Sequence, residues 1–155
     1  MKILVTGANG QLGQDLMRVI VAAGDEAVGI DIDTVDITSR EAVHEALVTI
    51  HPDAVINCAA FTAVDACEDN AETAMLVNGT AVRWVTEASD AIGAHLVHIS
   101  TDYVFDGTKI GPYVETDTPN PQSVYGSTKL AGELEALANG SGVAVVRTSW
   151  VCGVY

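Results

Sequence analysis

Short apolar runs rich in β-branched residues alternate along the chain with helix-length segments, and this alternation restricts the fold more than any other feature. The five apolar runs are Lys2–Thr6, Glu26–Ile32, Ala54–Asn57, His95–Thr101 and Val143–Thr148. Strands separated by helices need crossover connections, and such connections make neighbouring strands parallel. Runs that are apolar throughout indicate strands covered by helices on both faces. The sequence therefore predicts one α/β domain over residues 1–155, built on a doubly wound parallel sheet.

Helical periodicity and cap signals fill the segments between these runs. The predicted helices cover Gln11–Ala23, a segment beginning near Thr38, the stretch Ala71–Ala91 and the stretch Gln122–Asn139. The order Thr38-Ser39-Arg40-Glu41 predicts a capping box, in which the Thr38 hydroxyl accepts from the Glu41 amide. Ligands of doubly wound sheets bind beyond the carboxyl ends of the strands, where the strand order reverses. We expect that point between the first and fourth strands.

The net charge excludes two classes of partner. Seven Lys and Arg residues against 21 Asp and Glu residues give a net charge of −14 at pH 7. Such a surface repels phosphate backbones and anionic membranes, so we expect no nucleic-acid partner and no membrane partner. An anionic ligand must then be held by backbone dipoles or by a few local cations.

The cysteines and histidines do not have the spacing of a disulfide framework or a zinc site. The three cysteines, Cys58, Cys67 and Cys152, are widely separated, and the four histidines are not clustered. An odd cysteine count without a secretory leader indicates a reducing compartment. We therefore predict a cytoplasmic protein without a metal site.

A glycine-rich turn follows the first predicted strand, with the sequence Thr6-Gly7-Ala8-Asn9-Gly10-Gln11-Leu12-Gly13. Gly7 permits a tight exit from the strand, Gly10 lets the backbone approach a pyrophosphate, and Gly13 allows close packing of helix on strand. The free amides at the start of the next helix can hold phosphates. This strand–turn–helix context predicts a dinucleotide site.

An acidic residue, Asp31, ends the second predicted run, about 20 residues beyond the glycine turn. A carboxylate at this place accepts hydrogen bonds from an adenosine ribose, and no arginine adjoins it to bind a 2′-phosphate. That favours NAD, although Asp31 leaves both NADH and NADPH open. Asp33 and Asp36 are alternative acids for the same role.

Three residues near the carboxyl end of the fourth strand predict a proton-donating site. The strand ends at Thr101, and the following helix carries Tyr125 and Lys129. The spacing of four places Tyr125 and Lys129 on one face of that helix. A neighbouring cation favours the phenolate, so we expect Lys129 to lower the pKa of Tyr125 and make it a useful acid.

With these motifs in place, the chain resembles the extended short-chain dehydrogenase/reductase family along its whole length. The markers are Thr6–Gly13, Pro52–Asp65, Ser100–Gly107, Val124–Glu133 and Arg147–Val151. The first and fourth markers are shared with nucleotide-sugar epimerases and dehydratases. The second, third and fifth are more typical of the reductases that act on dTDP-4-dehydro-L-rhamnose.

The resemblance implies a Rossmann-type fold and transfer of hydride from NADPH or NADH to the C4 keto group of a nucleotide sugar. It implies that Tyr125 donates the proton, that Lys129 binds the nicotinamide ribose and that Thr101 binds the carbonyl. The cofactor positions it implies are Gly7, Asn9, Gly10, Gln11, Leu12, Asp31, Asp36, Ile37, Ala59, Ala60, Thr62, Asn78, Tyr125 and Lys129. The substrate positions it implies are Val64, Thr101, Asp102, Tyr103 and Trp150, with core packing as the alternative for Trp150.

Members of that family are longer and carry a carboxyl-terminal domain that closes over the nucleotide sugar. We therefore expect this chain to be a cofactor domain that binds dinucleotide and has little reductase activity alone. The resemblance is compatible with a homodimer of the longer form. Two other functions stay open, namely a different nucleotide-sugar reductase or epimerase, and a regulatory subunit resembling the methionine adenosyltransferase β subunit. Intact Thr101, Tyr125 and Lys129 favour catalysis.

Overall fold

Five parallel strands form one sheet in the computed structural model, which describes residues 1–153, so that the last two residues of the predicted domain lie outside the described part. The strands are β1 (Lys2–Thr6), β2 (Glu26–Ile30), β3 (Ala54–Asn57), β4 (His95–Thr101) and β5 (Val143–Thr148). Their spatial order is β2-β1-β3-β4-β5, and every neighbouring pair is parallel. The predicted parallel sheet is confirmed, although β2 ends at Ile30 and leaves Asp31 in the following turn.

In the described part of the chain, six α-helices connect the strands and cover the sheet unequally. They are α1 (Gln11–Ala22), α2 (Arg40–Ile50), α3 (Val64–Asp69), α4 (Ala71–Met75), α5 (Ala81–Ala91) and α6 (Val124–Asn139). Because crossover connections are right-handed, α1 lies on one face of the sheet, and α2, α5 and α6 lie on the other. Within residues 1–153, no helix has both the length and the apolar character needed to cross a bilayer.

The core lies between the sheet and the three helices α2, α5 and α6 that cover one of its faces. Leu4, Val55 and Leu96 are adjacent across β1, β3 and β4, and each is at most 1% exposed. Leu47 of α2 and Val85 of α5 belong to the same buried cluster. Each fully buried aliphatic side chain contributes about 1.5–3 kcal/mol relative to exposure. This packing fixes the carboxyl ends of the strands, where the predicted site residues lie.

The strand order reverses between β1 and β3, not between the first and fourth strands as the sequence led us to expect. β1 pairs with β2 on one side and with β3 on the other, and β4 pairs with β3. Among the described strands, β2 alone lies on its side of β1. After β2 the chain therefore crosses back over β1, and β3 pairs with the other edge of β1. The crevice therefore opens beside the β1–β3 pair.

The predicted capping box is also wrong, because Ser39 and not Thr38 caps α2. The Ser39 Oγ accepts from the Ala42 amide at 3.3 Å. The Thr38 hydroxyl instead donates to Asp36 Oδ1 at 2.7 Å, and the Thr38 amide donates to the same oxygen at 2.8 Å. A carboxylate is a stronger acceptor than a hydroxyl, so it holds Thr38 in the turn and the helix begins at Arg40.

The long helix predicted over Ala71–Ala91 is interrupted by a π-helical turn at Leu76–Thr80, and α3, which the sequence analysis missed, precedes it. The turn lies against α6. A Cβ at Gly132 of α6 would be 2.1 Å from the Asn78 carbonyl oxygen. Single π-helical turns inside α-helices are frequent at functional sites.

Candidate active site

A cleft of about 960 Å³ runs along the carboxyl ends of β1, β3, β4 and β5. It contains nearly all the residues that the sequence analysis assigned to cofactor and substrate. Those that line it are Gly7, Asn9, Gly10, Gln11, Leu12, Asp31, Asp36, Ile37, Ala59, Ala60, Thr62, Val64, Thr101, Asp102, Tyr103, Tyr125, Lys129 and Trp150. Segments distant in sequence therefore meet in one continuous groove.

The glycine turn packs tightly between β3 and α1. Gly7 has φ +65°, and a Cβ there would be 2.8 Å from the Ala59 amide nitrogen. A Cβ at Gly13 would be 2.2 Å from the Gly7 carbonyl oxygen, so the helix lies directly on the turn. Gly10 caps α1 without a side-chain bond, and the first turn of α1 carries no acidic residue. The positive end of the helix dipole therefore faces the cleft with its amides suited to an anion.

The Asp31 carboxylate lies against the other side of this turn and accepts hydrogen bonds from two backbone amides. Its Oδ2 accepts from the Asn9 amide and its Oδ1 from the Ile32 amide, both at 2.8 Å. Asp33 accepts a longer bond, 3.4 Å, from the Asn9 side chain. Two hydrogen bonds from Thr38 lower the pKa of Asp36. Of the three acids that the sequence left as alternatives, Asp31 and Asp36 therefore line the cleft, and Asp33 lies outside its lining.

Asn78 is the exception among the predicted site residues, all of which are described, because it does not line the cleft. Its side chain is fully buried. Its Oδ1 accepts from the Phe61 amide at 2.8 Å, and its Nδ2 donates to the Phe61 carbonyl at 3.0 Å and to Thr128 Oγ1 at 3.2 Å. Asn78 therefore holds the loop that follows β3, whose residues do line the cleft.

Tyr125 lies in the first turn of α6, which Ser123 caps by accepting from the Gly126 amide at 3.0 Å. A Cβ at Gly126 would be 2.3 Å from the Tyr103 carbonyl oxygen, so glycine lets α6 approach the turn after β4. The rings of Tyr103 and Tyr125 meet edge to face with centroids 5.6 Å apart. The phenol is thereby brought beside Thr101 at the end of β4.

Burial raises the pKa of Tyr125 above its ordinary value, and the Thr101 side chain acts in the opposite direction. The expected lowering of this pKa by Lys129 is wrong for this structure. The Lys129 ammonium donates instead to the Ile99 carbonyl at 2.7 Å. Spacing along the helix predicts a shared face, whereas the direction of a long side chain depends on the acceptors around it.

Lys129 is 3% exposed and is the one lysine or arginine among residues 1–153 that lines the cleft. Burial lowers its pKa to about 8, and Glu133 and Cys58 act against that shift. Burial also raises the pKa of Cys58 to about 12, so this thiol is a neutral wall residue. The cleft floor therefore carries one positive group that can still change its charge near neutral pH.

Thr101 fixes the turn that follows β4. Its hydroxyl donates to Asp102 Oδ1 and accepts from the Tyr103 amide, both at 3.2 Å. Thr101 is 6% exposed, whereas Tyr103 is 48% exposed. The hydroxyl is thus held at the cleft wall, and the Tyr103 ring extends from that wall toward solvent.

Trp150 is 96% exposed and has φ +52°, which overturns core packing as its role. The next residue is tied to the glycine turn, since Gln11 Nε2 donates to the Val151 carbonyl at 3.2 Å. The chain after β5 therefore crosses the start of α1 and borders the cleft.

The sequence analysis missed several apolar residues of the cleft wall. These are Val35, Phe61, Leu76, Val77 and Val151. They lie in turns and on a helix face, where an apolar residue is indistinguishable by pattern from a core residue. No sequence signal could have separated them from the core.

The comparisons with known proteins agree with this geometry. A family model described as the RmlD substrate binding domain matches residues 1–155. The dTDP-4-dehydrorhamnose reductase of Burkholderia thailandensis is 46% identical over 151 residues, which are 97% of this chain and 50% of that protein. The chain thus spans about half the length of the curated relatives it matches.

Solved structures share the fold. A dTDP-4-dehydrorhamnose reductase from Clostridium acetobutylicum has 44% identity and a TM-score of 0.94, over 97% of this chain and 54% of that one. The Bacillus anthracis dTDP-4-dehydrorhamnose reductase, solved in complex with NADP, has 38% identity and a TM-score of 0.93, over 96% of this chain and 53% of that one. The predicted Rossmann-type fold is confirmed.

Proposed function

Because the chain belongs to the RmlD substrate-binding-domain family, we propose that it forms the dinucleotide-binding part of a dTDP-4-dehydrorhamnose reductase. The proposed reaction reduces the C4 keto group of dTDP-4-dehydro-L-rhamnose and gives dTDP-L-rhamnose. The cofactor is NADPH or NADH, which supplies the hydride when bound. The relatives named for this activity are about twice as long, so the complete reaction is a proposal for this chain.

One observation supports this proposal above the others: a single cleft runs from the start of α1, with its free backbone amides, to the Tyr125 phenol. The turn from Gly7 to Gly13 lies at one end, and Tyr125 and Lys129 lie at the other. Backbone amides at the start of α1 suit a pyrophosphate, and Asp31 suits a ribose hydroxyl. The residues present therefore fit a nicotinamide dinucleotide extended along the cleft.

The chemistry that we assign to the chain itself is proton transfer and charge stabilisation. Tyr125 gives the proton of its Oη to the alkoxide oxygen that forms at C4. The Thr101 hydroxyl, which accepts from the Tyr103 amide, turns its one proton from Asp102 to the same oxygen. Lys129 binds the nicotinamide ribose through its ammonium group. A phenol whose pKa is raised by burial keeps its proton until the alkoxide forms.

The substrate contacts that we propose border the cleft on its open side. Asp102, Tyr103 and Trp150 are exposed, and Val64 lies at the start of α3. An exposed aromatic ring at a cleft mouth suits stacking or packing on a sugar. The substrate is thus a small nucleotide sugar and not a nucleic acid, in keeping with the net charge of −14.

We also propose that the protein works in the cytoplasm, where nucleotide sugars and reduced coenzymes are available. A homodimer of the longer form is compatible with this proposal. The three described cysteines are all free. Free thiols are typical of reducing compartments. Cell fractionation with an antibody to the chain tests the compartment, and recovery outside the cytoplasmic fraction would contradict it.

The direct test is titration of the chain with NADH and with NADPH, with binding measured by calorimetry. We expect binding of at least one coenzyme, and loss of that binding in Gly10→Val, whose branched side chain enters the pyrophosphate approach. A wild-type chain that binds neither coenzyme would sink the proposal. Incubation with dTDP-4-dehydro-L-rhamnose and the bound coenzyme then tests turnover, which we expect to be low for this chain alone. Detection of an epimerised sugar without coenzyme oxidation would favour an epimerase.

A further inference from the structure

A buried charged network lies one helical turn beyond Lys129, and the proposed mechanism does not use it. Glu133 of α6 is 2% exposed and accepts from Arg147 of β5 in a bidentate arrangement, with Nη2–Oε2 at 2.6 Å and Nε–Oε1 at 2.9 Å. Ser100 of β4 donates to the same carboxylate at 2.5 Å. Ser100 and Arg147 are partners across the β4–β5 ladder. Glu133 thus joins one helix to two strands at their carboxyl ends.

The cost of this arrangement suggests more than a structural role. Burying an ion pair recovers little net free energy compared with apolar packing of the same volume. Glu133 is also four residues from Lys129, on the same face of α6. Arg147 pairs with this carboxylate, whereas the Lys129 ammonium bonds to the carbonyl of Ile99, the neighbour of Ser100 in β4.

The groups that face Lys129 come from several elements. On its own helix they are Tyr125 and Glu133. From β3 and β4 they are Cys58, at the β3 end, and His98, which is fully buried and whose pKa Lys129 helps to lower. Arg147 lies beyond Glu133 on β5, and Glu68 of α3 lies at the start of α6, where it accepts from the Val124 amide. Among these described groups, Glu133 is the buried carboxylate.

We propose that Glu133 is a positioning residue that keeps Lys129 charged and aimed at the Ile99 carbonyl, with Ser100 bonded to the carboxylate and Arg147 as a second cation that competes with Lys129 for its charge. Its consequence for coenzyme binding rests on the proposed function. Burial favours the neutral amine, and the carboxylate opposes this, so that Lys129 stays mostly protonated at neutral pH. In a chain of net charge −14, this preserves a local cation in the cleft floor.

The test is a titration of lysine signals by NMR, since the chain has only three lysines, Lys2, Lys109 and Lys129. The wild-type Lys129 pKa is about 8. In Glu133→Gln, which keeps hydrogen bonding but removes the charge, we expect it to fall below the wild-type value. In Arg147→Met, which removes a neighbouring cation, we expect it to rise. Glu135→Gln, on the same helix, is the matched control and should leave it unchanged.

The Lys129 pKa should shift in opposite directions in the two variants. This distinguishes an electrostatic effect on Lys129 from a general loosening of the fold. A Lys129 pKa that stays at the wild-type value in folded Glu133→Gln overturns the inference, and so does a fall in both single variants. If Glu133→Gln does not fold, the double variant Glu133→Gln/Arg147→Met leaves no unpaired charge. Its Lys129 pKa should then lie below that of Arg147→Met, and equality of the two overturns the inference.

NADH affinity measured against pH links the network to the cleft. We expect the affinity of the wild-type chain to decrease as pH rises through about 8, and that of Glu133→Gln to decrease at a lower pH. Coincident profiles, with NADH bound, overturn the link. If the wild-type chain binds no coenzyme, the proposed function fails, and the lysine titration still decides the role of Glu133.

Discussion

Asn78 satisfies both backbone polar groups of Phe61, accepting from its amide at 2.8 Å and donating to its carbonyl at 3.0 Å. The side chain comes from the π-helical turn at Leu76–Thr80, and Phe61 belongs to the loop after β3. A third bond, to Thr128, ties the same amide group to α6. The irregular turn thus sets the loop that forms one wall of the cleft.

We therefore expect Asn78→Ala to destabilise the chain by about 3 kcal/mol, because it leaves buried backbone groups without partners. It should also weaken coenzyme binding, since the loop bearing Ala59 and Ala60 loses its tether. Urea unfolding and coenzyme titration measure the two effects. Asn139→Ala is the matched control, because the side-chain bonds of Asn139 within the described residues stay inside α6, to Glu135, and the variant should cost less than about 1 kcal/mol. Equal losses in the two variants would contradict the tether.

The second prediction distinguishes two effects of a side chain at the glycine turn: backbone strain from a positive φ, and steric clash of the added Cβ with neighbouring atoms. Gly7 and Gly93 both have positive φ, +65° and +73°, but a Cβ at Gly93 meets nothing within 4 Å, whereas one at Gly7 is 2.8 Å from the Ala59 nitrogen. We expect Gly93→Ala to cost about 1–2 kcal/mol and to leave coenzyme binding unchanged. Gly7→Ala should cost more and abolish binding, because it forces β1 and the loop after β3 apart. Thermal unfolding measures the loss of stability in both variants, and coenzyme titration measures the loss of binding.

Local patterns were enough to predict the strands and the glycine turn. Five apolar runs marked the strands, and Gly24, with φ +86°, ends α1 as its sequence position indicated. Asp31, Tyr125 and Lys129 were found because they follow strand ends or share a helix face, and parallel strands bring their carboxyl ends to one edge.

Features that depend on competition between hydrogen-bonding groups or on burial could not be predicted. Thr38 fits a cap by pattern, yet the carboxylate of Asp36, two residues earlier, accepts from its hydroxyl. The family resemblance places Asn78 near the cofactor, and its side chain bonds to the Phe61 backbone. The direction of the Tyr125 pKa shift depends on burial, which no spacing of residues encodes. A neighbouring acid decides the first case, and tertiary packing decides the other two.

The third prediction concerns acid stability and His98. This side chain is fully buried, its Nδ1 lies 3.2 Å from the Asn57 amide nitrogen, and its Nε2 has no hydrogen-bond partner within residues 1–153. Burial lowers its pKa to about 3. The unfolded chain takes up this proton near pH 6.5, so stability is lost as pH falls from 6.5 toward 3. We expect a loss of about 3 kcal/mol by pH 4.5 from this residue.

Unfolding free energies of His98→Asn and His44→Asn measured at several pH values check this. His98→Asn can still accept from Asn57, so we expect a chain that is less stable at pH 7 but loses less on acidification. His44 is exposed on α2, and its variant should keep the wild-type slope. Parallel slopes for His98→Asn and the wild-type chain would rule out His98 as the source.

The last prediction tests the phenol of Tyr125 directly. Burial raises its pKa, and the Thr101 side chain lowers it. Thr101→Val removes the lowering contribution while keeping the volume, so the Tyr125 pKa should rise further. NMR of the four labelled tyrosines, assigned by comparison with Tyr125→Phe, reports this ionisation site by site. Tyr125→Phe should leave coenzyme affinity within about two-fold, because the proposed proton donor is not a main contact for the pyrophosphate. A Tyr125 pKa that falls in Thr101→Val would show that Thr101 does not favour the phenolate, and the oxyanion role assigned to its hydroxyl would then lose its electrostatic basis.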